Sequence, residues 1–194
     1  MSEQLQSDFD KLVKTSKFSN EEIKLKKIFL NNFIESGFPN RKQEDWKFLD
    51  ISQIIKKNIS DLSFFNDYSQ SNKIDPSVLV DGLEHNKIIF INGKIEKIDF
   101  NFEDQNKIEI IDETKKDISF DYENSLIDLN SAFTDKVFKI LIKKNYSLKK
   151  PLIIYHSIND EIKSTNINLR LDFELGENSC LKLIDYFSNS TAKN

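Results

Sequence analysis

The sequence predicts an α+β fold, mainly β, with its helices gathered at the N-terminal end. Three observations point there. Residues 2–36 carry apolar side chains at helical spacing. From residue 88 the period switches to that of strands, beginning at a hairpin signal. From residue 137 onward, short apolar runs recur about every fifteen residues, separated by polar turns. Two architectures fit such a series: an antiparallel sandwich, or a parallel coil whose successive rungs stack.

The helical part is read first. Leu5, Phe9, Leu12 and Val13 lie on one side of a helix over residues 2–17. Ser19-Asn20-Glu21-Glu22 is a capping box, in which the serine caps the helix start and Glu22 reaches back. The second helix runs to about Ser36, where Gly37 supplies the C-cap and Pro39 stops the helix. Ile51, Ile54 and Ile55 indicate a short third helix.

Residues 64–86 are rich in Asn, Asp and Ser, with turn signals at Asp75-Pro76 and Asp81-Gly82. They read as a connection with at most a short helix over 77–83. Ile88-Ile89-Phe90-Ile91-Asn92-Gly93-Lys94-Ile95 is a type I′ hairpin pattern. Residues 107–112 form another β-prone run, while 113–125 are too polar to assign. The later apolar runs cover 137–142, 152–155, 167–173 and 181–187, and in the third Ile167, Leu169, Leu171 and Phe173 alternate with polar residues.

Composition narrows the function. With 194 residues, 38% hydrophobic and 31% charged, the chain has the composition of a globular protein. No apolar run is long enough to span a bilayer, and Met1-Ser2-Glu3-Gln4 does not resemble a secretion signal. A cytoplasmic location is the expectation, and the Asn-x-Ser/Thr triplets at Asn58, Asn145 and Asn189 read as chance. The net charge of −4 falls entirely in residues 76–194 and offers no basic stripe for nucleic acid.

Few residues suit chemistry. The four glycines lie at 37, 82, 93 and 176, too scattered for a phosphate loop, so any ATP would be bound by a partner. His85 and His156 are far apart and read as structural or exposed. Cys180 is the single cysteine, which excludes an internal disulfide or a cysteine-rich metal site. Beside Ser179, at the start of a strand, it is expected to point inward as a buried, inert thiol. A transient cluster ligand is the sharper alternative, needing ligands from another subunit. No close carboxylate pair marks a hydrolase.

The most informative stretch is Gly37-Phe38-Pro39-Asn40-Arg41-Lys42-Gln43-Glu44-Asp45-Trp46-Lys47. It holds the only tryptophan and one of two arginines, Arg41 and Arg170. Arg41 can hold a carboxylate with two parallel bonds, and Glu44 is the partner one turn away. Burying roughly 200 Å² of indole contributes about 5 kcal/mol. An exposed ion pair gives about 0.3–0.5 kcal/mol. Trp46 is therefore the expected anchor, with Arg41, Glu44 and Lys47 orienting it.

This stretch resembles the N-terminal G-(F/L)-P-x-R-x-x-E-x-W-K motif of the SufD branch of the SufB/SufD family, subunits of the SUF iron–sulfur cluster assembly machinery. The family motif continues Tyr-Thr where this chain has Phe48-Leu49. Phe-Ile-Asn-Gly at 90–93 also looks like a hairpin found early in such chains. Asp128-Leu129-Asn130-Ser131-Ala132-Phe133 with Lys150-Pro151-Leu152-Ile153-Ile154 resembles a second family segment. Leu175-Gly176-Glu177-Asn178-Ser179 with Leu181-Lys182-Leu183-Ile184 is similar to a third.

The resemblance implies a helical subdomain over 1–62, a linker over 63–86, and the N-terminal part of a right-handed parallel β-helix over 87–194. Family members are longer, so the chain is expected to be incomplete at its C-terminal end, a fragment or split gene product. The implied role is a scaffold subunit, not itself an enzyme, binding no cofactor alone. The implied partners are a SufB-like subunit and a SufC-like ATPase, contacted through the later rungs and a C-terminal helical domain. An alternative is a carbohydrate-active β-helix enzyme, which needs clustered carboxylates or metal ligands on one face. Another is an interaction module without cluster chemistry.

Overall fold

The computed structural model describes residues 1–59, 61–65, 79–113, 124–158, 162 and 164–189. It is mixed α+β with about 34% helix and 28% strand, so helix is no minor component. The chain divides into two compact units that interleave along the sequence. One takes in Met1–Asn66, Glu113–Val137 and Ser164–Arg170, and the other takes in Asp67–Asp112, Phe138–Lys163 and Leu171–Asn194. These compact units interleave, whereas the boundaries expected from the sequence at 62 and 86 are consecutive. Most of the expected linker, including part of the possible helix over 77–83, lies outside the described residues.

The first unit contains helices α1 (Ser2–Thr15), α2 (Asn20–Ser36), α3 (Ile51–Asn58) and α4 (Ser125–Phe133). The capping box forms as expected: the Glu22 N–H donates to Ser19 Oγ and the Ser19 N–H to Glu22 Oε2. Gly37 ends α2 with φ +69, a conformation that disfavours a side chain. Asp50 caps α3 by accepting from the Gln53 N–H at 2.9 Å. Helix α4 was not legible in the sequence. Asn124 caps it, and Leu129, Ala132 and Phe133 join Leu5, Phe9, Leu12, Leu30, Phe33, Phe38 and Phe64 in one core.

Two buried polar side chains organise this core. Asp8, fully buried, accepts from Gln4, Lys11, the Ser63 hydroxyl and the Phe64 N–H, the last at 2.8 Å. Burial alone would raise its pKa, but those donors and the Lys11 charge outweigh burial and hold the carboxyl below its usual range. The bond from Phe64 seats that ring 5.8 Å from Phe133 and 6.5 Å from Phe38. Lys26 reaches the C-terminal carbonyls of α4, donating to Ser131 O and Thr134 O, where the helix dipole favours a cation. Burial pushes its pKa down to about 8, against the attraction of Asp135 and Glu22.

Among the described residues, the second unit holds seven strands in two sheets. Strands β1 (Asn86–Ile91), β2 (Lys94–Asp99), β5 (Leu152–Ile158) and β7 (Leu183–Asn189) form one sheet in the order β2-β1-β5-β7. Strands β3 (Ile108–Glu113), β4 (Val137–Ile142) and β6 (Arg170–Leu175) form the other, in the order β3-β4-β6. The β1–β2 hairpin turns at Asn92 and Gly93, with φ +53 and +80, as a type I′ turn requires. Strand β6 begins at Arg170, later than its alternation suggests, because residues before it are tied up elsewhere. Thr165 bridges Ser63, and Leu169 O accepts from Asn130.

The pairing β1–β5–β7 is parallel, in register through Ile88, Ile154 and Asp185. Gly176 N–H donates to Ile142 O, so the C-terminal ends of β4 and β6 coincide. After them, equivalent corners stack: Asn145 and Asn178, with φ +58 and +57, lie 33 residues apart and share a side-chain hydrogen bond of 3.2 Å. Ser147 and Cys180 then form a parallel bridge. A Cβ at Gly176 would stand 2.5 Å from Lys144 N, closer than atoms pack.

Glu103 ties β1 to the corner before β5. Its buried carboxylate accepts from Asn86 Nδ2 (2.8 Å), Tyr146 Oη (2.7 Å) and the N–H groups of Lys149 and Lys150 (both 3.0 Å). Burial would raise its pKa, yet these four donors leave it lowered.

Two predictions follow from these contacts. Because both native carboxyls are lowered, their stabilisation is full above the ordinary values of 3.8 and 4.5 and is lost as pH falls through the native ones. Urea titrations at stepped acidic pH should show a shallower loss of stability in Asp8→Asn and in Glu103→Gln than in the parent. Gly176→Ala should destabilise the second unit by about 1–3 kcal/mol, read from amide exchange in β4 and β6.

Candidate functional site

The polar feature that the sequence does not reveal lies on the face of β5 turned toward the second sheet. Side chains alternate along β5, so Ile154 and His156 share one face while Ile153 and Tyr155 share the other. In register with His156 stand Phe90 on β1 and Phe187 on β7. The Phe90 ring also meets Phe138 of β4, with centroids 6.0 Å apart. His156 is thus a polar group among apolar ones.

Its imidazole is stacked on both sides, 5.5 Å from Phe90 and 4.4 Å from Phe187, with interplanar angles of 9° and 11°. Its Nε2 lies 2.7 Å from Asp185 Oδ1. The carboxylate orients the ring between the two aromatic faces. Exposure rises toward the sheet edge: the His156 side chain is 16% exposed, that of Asp185 54%, and Phe187 69%. Among the described residues no serine, threonine or cysteine hydrogen-bonds this imidazole.

The other histidine serves packing. Buried His85 sits with Nδ1 2.6 Å from Leu83 O and Nε2 2.8 Å from Tyr155 Oη, which accepts from the Val80 N–H at 3.1 Å. The neutral tautomer with its proton on Nδ1 satisfies every one of these contacts. Burial raises the Tyr155 pKa, and Tyr186 adds to that while the Val80 bond opposes it. The two histidines therefore take separate partners, on opposite faces of β5.

The tryptophan segment differs from expectation. Residues 44–46 form a short 3₁₀ turn, and Trp46 is only half-buried and outside the core cluster. Phe38 anchors the segment instead, 8% exposed and 5.0 Å from Phe33. Glu44 pairs with Lys47 at 3.5 Å and not with Arg41, because the turn starts after Arg41 and sets Glu44 and Lys47 on one side. Arg41 is exposed, and Lys47 lies over the ring of Phe48, itself 87% exposed. Arg41, Glu44, Trp46 and Lys47 thus share a surface turn of the first unit.

Cys180 is exposed, not inward-facing, and its backbone bridges Ser147. Among the described residues no group of three His, Cys, Asp or Glu side chains could hold a metal ion. Among the same residues, no helix is long and apolar enough to cross a membrane. The class defined by these features is a mixed α+β chain with a parallel strand ladder and an exposed aromatic edge. In comparisons with known proteins, no family model and no curated protein matches this chain.

Register alone reveals the His156 site, because Asp185 and Phe187 become neighbours only when β7 is laid parallel to β5. The anchoring of the tryptophan segment is testable by thermal and denaturant unfolding. Phe38→Ala should cost about 3–5 kcal/mol, and half-exposed Trp46→Ala only about 1 kcal/mol.

Proposed function

We propose that the chain is a SufD-like scaffold subunit of the SUF iron–sulfur cluster assembly complex, non-catalytic by itself. In this reading residues 87–194 form rungs of a right-handed parallel β-helix. The observation that carries it is the parallel ladder, with β1, β5 and β7 in register and the asparagine corners stacked at a 33-residue repeat. Such a ladder is what coiled rungs require. The three sequence segments that resemble the family fall in the family's order and span much of the chain.

The partners are then a SufB-like subunit and a SufC-like ATPase, with ATP bound by the latter. The iron–sulfur cluster is cargo of the complex, and this chain alone holds no cofactor. A cytoplasmic site of action, away from nucleic acid and membrane, agrees with the net charge of −4 and the absence of a basic stripe.

Co-purification tests the proposal. The gene extended through its full reading frame and co-expressed with SufB-like and SufC-like subunits should yield a stable ternary complex. Failure to retain either subunit would count against the SUF reading.

A further inference from the structure

The first unit carries on its surface the side chains that most often dominate binding between proteins. The only tryptophan and one of the two arginines of the chain lie within residues 41–49, and neither enters the core. Trp and Arg are the types most enriched where binding energy concentrates at interfaces. Beside them Phe48 is 87% exposed, Leu49 43% and Ile54, on the adjoining helix α3, 45%. The turn runs straight into α3: the Leu49 N–H donates to Trp46 O at 2.8 Å, and Asp50 caps the helix. Ile51 and Ile55 of α3 pack against the core, so folding has already used that side of the helix. The large apolar side chains left outside mark a surface for another molecule.

The charge around these side chains selects the occupant. Residues 41–57 hold five basic and three acidic side chains, a net +2 in a chain of net −4. Two of the three acids are engaged: Glu44 pairs with Lys47, and Asp50 accepts from the Gln53 N–H. Among the described residues Arg41, Lys42, Lys56 and Lys57 form no ion pair, and all four are exposed. We infer that residues 41–57 are a docking surface for an acidic, apolar-faced segment of another protein. Trp46, Phe48, Leu49 and Ile54 take its apolar face. The Arg41 fork holds one carboxylate by two parallel bonds, and the lysines attract the others as point charges. An anionic bilayer fits less well, because the remaining residues carry net −6 and are repelled by it. A second copy seated patch to patch fits less well too, since it brings like charges together. This inference goes beyond the SUF reading and does not depend on it.

Trp46 reports directly on this surface, because it is the sole tryptophan of the 194-residue chain. The probe is a synthetic, tryptophan-free helical peptide with Leu and Phe along one face and Asp and Glu elsewhere. Adding it should shift Trp46 emission to the blue in a saturable way, with weaker binding at high salt. Phe48→Ser should weaken binding about tenfold, and Leu49→Ser should act in the same direction. The double variant Arg41→Glu, Lys42→Glu should weaken it at least as much as Phe48→Ser. All of these variants should melt with the parent, since the side chains changed are exposed. The same peptide with Lys for its acids, or with Ser for its apolar residues, should leave the emission unchanged. So should vesicles of phosphatidylcholine and phosphatidylglycerol. No binding, equal binding of either control peptide, binding that ignores Phe48→Ser and Leu49→Ser, or a shift with the vesicles would each overturn the inference. A blue shift on concentrating the chain alone would overturn it as well, by putting a second copy on the patch. Each of these results leaves the SUF reading standing, since that reading is judged by association with other subunits.

Discussion

A carboxylate withdrawn from water is tolerated only where several donors converge on it, and each unit of this protein is assembled around one. Asp8 collects Gln4, Lys11, Ser63 and the Phe64 amide, and so brings a segment more than fifty residues away onto α1 (|i−j| of 55 and 56). Glu103 does the same between β1 and the corner at 146–150. In both cases backbone amides supply part of the donor set, which gives the interaction direction as well as strength. Removing either carboxylate would leave buried donors without partners, a larger loss than any surface ion pair in the chain could offset.

What Asp8 and Glu103 position is different in kind. Asp8 seats Phe64 in a cluster of phenylalanines that also draws in Phe133 of α4. Glu103 fixes where β5 starts, and β5 is the strand on which the parallel ladder is built. Along that ladder like features stack on like: asparagine on asparagine at the corner, tyrosine beside tyrosine, and His156 between two phenylalanines. A histidine–aspartate pair among those apolar rows is acceptable because the aspartate is largely solvated and the ring is hydrogen-bonded.

The placement of that pair follows from the parallel register. It lies at the last strand of the sheet, where the apolar interior meets solvent, and Phe187 is the most exposed of the three aromatic rows. The β7 strand leaves Leu183, Ile184, Tyr186 and Phe187 exposed on that edge.

Local signals were readable wherever a short stretch decides its own conformation. Ser19 with Glu22, Gly37, and Asn92-Gly93 each satisfy backbone groups within a few residues, so the cap, the helix end and the hairpin follow from sequence alone. Strands β4 and β5 were legible as apolar runs for the same reason. Helix α4, the late start of β6, the choice of Phe38 over Trp46 and the exposure of Cys180 were not. Each depends on which distant surface is available to be covered: Phe133 finds Phe9 and Phe64, Thr165 finds Ser63, and the indole finds no core to enter. Sequence by itself determined the periodicities and the turns, because those arise from neighbouring dihedrals and local hydrogen bonds. Only the tertiary structure decided strand direction and the meeting of His156 with Asp185 and Phe187, because a parallel register is a relation between segments that share no local signal.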